Sequence, residues 1–144
     1  MRRQRMGERF KLRLEAIQPS QLYISSEKLA AIESTWEAEE LDALDPVPSK
    51  PLDGRLVSTD GHTRSVAAHR AGYETIWAVW DEDTLDWEAY RICVDWCREA
   101  GIRSIPDLAD RIIGPDAYEE LWLGRCCRMH ETLADSRGEA GDAC

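Results

Sequence analysis

Polar and apolar residues alternate from Lys11 to Ile17 (K-L-R-L-E-A-I), the period of a strand with one buried face. Pro19 closes that run. From Ser25 the period changes: Leu29, Ile32 and Trp36 recur at helical spacing. Ser25 and Ser26 offer side-chain acceptors for the unpaired N–H groups of a first turn, so a helix is predicted over Glu27–Trp36. The acidic stretch Glu37–Asp45 has no clear period and reads as a loop or a short helix. Pro46, Pro48 and Pro51 crowd the next apolar segment. Each removes a ladder donor, which suits an edge strand rather than a central one. Asp53-Gly54 is a hairpin signal, and Arg55–Thr59 is the returning strand. Asp60-Gly61-His62-Thr63-Arg64 then opens into a short alanine-rich helix, Ser65–Ala71, closed by Gly72. Glu74–Trp80 (E-T-I-W-A-V-W) is a strongly apolar strand.

After Asp81 the pattern becomes helical. Asp86 can cap a helix from Trp87 to Ala100 that Gly101 stops. Ser104-Ile105-Pro106-Asp107 starts another, to about Ile113, and Gly114-Pro115 a third, to about His130. The fold class expected is α+β: a small mixed sheet with a β-α-β-β-α-β core and a C-terminal helical appendix. Residues 1–11 are expected to be a basic flexible arm. One domain is expected over 12–130, with its core at 12–82 and its appendix at 83–130, followed by a small, polar, disordered tail at 131–144.

A chain of 144 residues, 43% hydrophobic and with six Trp, has enough apolar surface for one core. The formal net charge is -10, unevenly spread. Residues 1–13 hold six basic side chains against Glu8, so the rest of the chain keeps 12 of the 18 basic and 27 of the 28 acidic groups. Duplex binding needs Lys and Arg facing phosphates, which an acidic body does not supply; only the N-terminal arm is suited to nucleic acid. No apolar run reaches the roughly 18 residues of a membrane span, and the basic N-terminus lacks the apolar region of a secretory signal. A cytoplasmic location is the expectation. The five cysteines, Cys93, Cys97, Cys126, Cys127 and Cys144, do not form the framework of a small secreted domain, and reduced thiols are expected.

The strand–turn–helix around Gly61 is the most informative place for chemistry. A glycine lets the backbone leave the strand sharply and approach a ligand closely. The following helix N-terminus offers N–H groups and a partial positive charge to an anion. Arg64, in the first turn, can fork onto the same phosphate. Asp60 can hold a ribose, a metal or the turn itself.

The stretch from Pro46 to Gly72, P-V-P-x-x-x-L-D-G-x-L-V-x-x-D-G-H-T-R-x-x-A-A-x-x-A-G, resembles the ParB/sulfiredoxin superfamily, and the likeness covers about residues 12–82. The resemblance implies that Gly61, His62, Thr63 and Arg64 bind phosphate. ParB proteins bind and hydrolyse CTP at this turn, sulfiredoxins use ATP and a free-serine kinase uses ADP. It therefore implies a nucleotide ligand (ATP, ADP or CTP) with Mg²⁺, and phosphoryl transfer or hydrolysis as the chemistry. The candidate catalytic groups are His62, Asp60 and Glu27, with Glu33 a second glutamate in the same helix.

Two departures narrow the implication. His62 stands where sulfiredoxins carry their reactive cysteine, and the G-E-R-R form of ParB proper is absent. The alternatives are a non-enzymatic DNA-associated or regulatory module, a ParB-like nuclease, or an interaction domain using the Trp-rich helices.

Cys93 and Cys97 share one helix face, while Cys126, Cys127 and His130 lie on the last helix. Their spacing matches no familiar zinc module, and core packing is the expectation; no metal ligand is assigned. Most of the tryptophans are read as core, with stacking on a ligand the alternative.

Overall fold

The computed structural model describes residues 8–36 and 44–139. The expectations for residues 1–7, 37–43 and 140–144 lie outside the described residues.

Alternation produces a strand only over Phe10–Arg13 (β1). Leu14–Ala16 tightens into a 3₁₀ turn, with the Leu14 N–H donating to Glu74 C=O at 2.9 Å. A two-residue strand follows at Ile24–Ser25 (β2), then helix α1 at Ser26–Thr35. The Ser25 hydroxyl accepts from Lys28 N–H and caps α1. Val47–Leu52 (β3) and Arg55–Ser58 (β4) form the hairpin, His62–Arg70 is helix α2 and Thr75–Trp80 is β5. The order β-α-β-β-α-β is present, and the class is α+β. The four-stranded sheet runs β1-β5-β3-β4, with β5 antiparallel to β1, β3 parallel to β5 and β4 antiparallel to β3.

The proline-bearing strand β3 is therefore central, which corrects the expectation of an edge strand. The sheet tolerates this because each flank pairs with only part of it: β5 meets Val47–Ser49 and β4 meets Ser49–Leu52. At the next step of the hairpin, Thr59 N–H donates to Pro48 C=O at 3.0 Å, and Pro48 has no N–H to return. The Tyr90 hydroxyl donates to that same Thr59 C=O at 3.0 Å, replacing the missing donor.

Asp86 caps helix α3 (Trp87–Glu99) by accepting from Ala89 N–H. The Ser104 capping box forms, but it opens a short 3₁₀ turn, Ile105–Leu108, and not a helix to Ile113. Ile112–Ile113 instead is strand β6, parallel to β2, tying the appendix to the segment before α1. The last helix begins as α4 (Pro115–Tyr118), passes through a π-helical turn at Glu119–Leu123 and continues as α5 (Gly124–Arg137). It does not end at His130. Leu133 and Ala134 are buried, and Arg137 bonds Asp86 and Glu88 at the start of α3, so residues 131–137 are part of the fold.

The main core lies between the sheet, α1, α2 and the appendix, around Ile17, Ile24, Val47, Val66, Ile76 and Ile105. A smaller cluster, Leu52, Val57 and Val94 with Trp87 and Tyr90, seats α3 on the hairpin. Gln18 joins these parts. Its backbone bonds Leu56 and Ser58 on β4, its amide donates to Ile102 C=O, and its carbonyl accepts from Arg98.

Candidate functional site

Strand β4 ends beside the start of β3, and the chain turns there at Gly61. Gly61 adopts φ 76°, ψ 20°, a left-handed conformation that a Cβ would strain. Asp60, exposed, accepts the Gly61 N–H on Oδ1 at 2.8 Å. The first intrahelical bond of α2 is Ser65 N–H to Gly61 C=O at 3.1 Å, so the N–H groups of His62, Thr63 and Arg64 precede it. Arg64 folds back over the turn: a Cβ on Gly61 would stand 2.6 Å from its Nη2 and 3.2 Å from Val47 Cγ2. Its ion pair with Asp45 is long, 3.8 Å, and Asp45 is 88% exposed. Solvent screens such a pair heavily, leaving the guanidinium available to a stronger anion.

His62 faces inward. It is buried, and its Nε2 accepts the Ser20 N–H at 3.0 Å. Burial holds its pKa down to about 4, with Asp60 acting in the opposite sense. At neutral pH the ring is uncharged, with its Nε2 lone pair already used. This corrects its assignment as an acid/base: His62 joins α2 to the Ser20 segment.

Glu27 is exposed in the first turn of α1. Glu33 pairs with Arg70 at 2.8 Å, at the C-terminal end of α2, roughly 12 Å along the helix from the turn. The turn is therefore built from Asp60, Gly61, Thr63 and Arg64, with Glu33 excluded.

Three residues that carried no local signal complete the surroundings. Thr59 Oγ1 donates to Asp81 Oδ2 at 2.6 Å, and Asp81 Oδ1 accepts the Asp83 N–H. Tyr90 bonds the Thr59 C=O, and burial, then the charges of Asp81 and Asp60, keep its hydroxyl above its ordinary pKa. Asp81 ends one strand and Thr59 another, with β3 between them. Only the sheet order brings them together.

Among the described residues, no group of three or more His, Cys, Asp and Glu converges to hold a metal. Cys93 and Cys97 are buried on α3, Cys126 is half-buried on α5, and all three are free. Cys127 is disulfide-bonded, so the expectation of reduced thiols fails for it. The aromatic residues pack largely in pairs, Phe10 with Trp80, Trp36 with Tyr73 and Trp96 with Trp122. Arg9 and Lys11 lie over the Trp77 ring at 4.7 and 5.1 Å, which holds part of the expected basic arm on the sheet.

No family model and no curated protein matches the chain. Among solved structures it is similar to protein Atu1540 from Agrobacterium tumefaciens, with a TM-score of 0.48 and 17% identity, over 84% of this chain and 68% of that one. No helix among the described residues is long and apolar enough to cross a membrane.

Proposed function

We propose that this protein binds a nucleotide or another phosphorylated small molecule at Asp60–Arg64, as the resemblance to the ParB/sulfiredoxin superfamily implies. One observation carries the reading: the Arg64 guanidinium lies directly over Gly61, beside the first N–H groups of α2, and its carboxylate partner is distant and solvated. A phosphate there accepts backbone N–H bonds and a forked guanidinium together. Asp60 suits a role beside Mg²⁺. Magnesium is commonly carried by one or two carboxylates together with substrate phosphates, and Asp60 is the exposed carboxylate at the turn. Mg²⁺ would supply charge neutralisation for phosphoryl transfer or hydrolysis. The chain's own residues grip and orient the phosphate, and neutral His62 keeps the start of α2 fixed to Ser20.

Thermal unfolding in CTP, ATP, ADP and GTP, each with Mg²⁺, tests this. A ligand at a hundredfold its Kd adds about 2.7 kcal/mol, a readily measured rise in Tm. Arg64→Ala is expected to abolish the rise while leaving the ligand-free Tm close to wild type. No rise with any of the four overturns the proposal.

A further inference from the structure

Helix α3, the π turn with the first half of α5, and the segment before β2 line an open cavity of about 590 Å³, a volume usual for small-molecule sites. Its apolar surface comes from Tyr23, Trp96, Leu121 and Met129, and its positive charge from Arg125 and Arg128. Trp96 is held edge-on against buried Trp122, with ring centroids 6.2 Å apart at 83°. Arg125 stacks 4.1 Å over the Trp96 ring. Arg111 stacks in the same way over Tyr23, at 4.6 Å, and its Nε donates to Leu22 C=O. The aromatic walls are therefore fixed in place from both sides.

The charges of this cavity are unusual for the chain, which has 28 acidic side chains against 18 basic ones. Arg13, Arg64, Arg70, Arg91 and Arg137 each have a carboxylate within ion-pair distance. Among the described residues, Arg125 and Arg128 form no ion pair, although Glu120 lines the same cavity. The two arginines stand three residues apart and so share one helix face. The Arg128 guanidinium lies back along α5, its Nη1 3.4 Å from where a Cβ on Gly124 would stand. Gly124 closes the π turn by donating its N–H to Glu119 C=O, and π turns inside helices recur at functional sites.

We propose that this cavity binds a small aromatic carboxylate, with its ring among Tyr23, Trp96 and Met129 and its carboxylate on Arg125 and Arg128. Nothing in this depends on phosphate binding at Gly61. A guanidinium stacks through its face and donates through its edge, so Arg125 can rest on Trp96 and still fork onto a carboxylate. Rings and a thioether together favour an aromatic body over an aliphatic one. Exposed Glu120 disfavours a second negative charge, which selects a carboxylate over a phosphate dianion. A carboxylate without a ring gains only the solvent-screened attraction of the two arginines.

Calorimetric titration of the full-length protein at pH 7 with 2-naphthoate tests this, with the uncharged 2-naphthamide beside it. Saturable one-site binding of the acid is expected, and about tenfold weaker binding of the amide, the loss of one charge-assisted hydrogen bond. Equimolar acetate or inorganic phosphate is expected not to displace the acid. Arg128→Ala and Arg125→Lys are each expected to weaken binding by about tenfold, while Arg91→Ala binds as wild type does. Circular dichroism checks that each variant is folded, and the acid–amide comparison on the wild-type protein stands if one is not. No saturation by 2-naphthoate, equal binding of acid and amide, displacement by acetate or phosphate, or wild-type affinity in both folded cavity variants each overturns the proposal.

Discussion

Thr59 Oγ1 donates to Asp81 Oδ2 at 2.6 Å, reaching over β3 from the end of β4 to the end of β5. A short O–H···O⁻ bond is charge-assisted, and such bonds contribute more than neutral ones. Thr59→Val keeps the shape and removes the donor. Because Asp81 is only partly buried, the expected loss is about 1–2 kcal/mol, read from urea unfolding at pH 7.

At Gly61 two costs combine, and a second glycine separates them. Gly54 has φ +81° with open space where a Cβ would sit, whereas Gly61 has φ +76° with Arg64 in the way. Each Gly→Ala change is expected to cost about 1–2 kcal/mol from the left-handed backbone alone. Gly61→Ala must also displace the guanidinium. It is expected to lose ligand-induced thermal stabilisation, while Gly54→Ala retains it.

The His62 ring gives stability a defined pH dependence. Its folded pKa is near 4 against a reference of 6.5, so between those values the unfolded chain binds a proton that the folded one refuses. The associated stability is fully present above about pH 6.5. It is lost progressively as pH falls towards 4, by about 3 kcal/mol in all. His62→Gln, which keeps an acceptor near Ser20 N–H, is expected to flatten this part of the curve. Urea midpoints at pH 7 and pH 5 for both proteins measure it. An equal drop in the two would sink the assignment.

The end of α5 contributes to the fold despite its polar composition. Leu133 is only 6% exposed, and removing a buried leucine side chain costs about 2–5 kcal/mol. A chain ending after His130 is expected to lose at least the lower of these figures, read from urea unfolding beside the full-length chain, and Leu133→Ala in the full-length chain is expected to fall within the same range.

Much of the fold was legible wherever a signal is local. The caps at Ser25 and Asp86 formed as their side chains dictate, because a cap needs only an acceptor placed two or three residues before the free N–H. The glycines after α2 and α3, Gly72 and Gly101, took positive φ, as a helix stop by Gly requires. The site was legible in part for the same reason: Asp60, Gly61 and Arg64 meet because they are neighbours in one turn. The strands β2 and β6 left no trace, since two residues cannot display a period. His62 misled because a histidine next to a glycine turn looks reactive until Ser20, distant in the chain, is found on its Nε2.

The sequence by itself determined the β-α-β-β-α-β order of the core, the turn at Gly61 and the ends of α1, α2 and α3, since period, capping and backbone conformation depend on near neighbours. Tertiary structure decided the rest. A proline strand became central because Tyr90 supplies a donor where Pro48 has none. Asp81 joined Thr59 because β3 threads between their strands. Arg125 came to lie 4.1 Å over the Trp96 ring because α5 packs against α3 beside the Trp96–Trp122 contact. Each depends on the burial or pairing of groups remote in sequence, for which the order of residues along the chain carries no local mark.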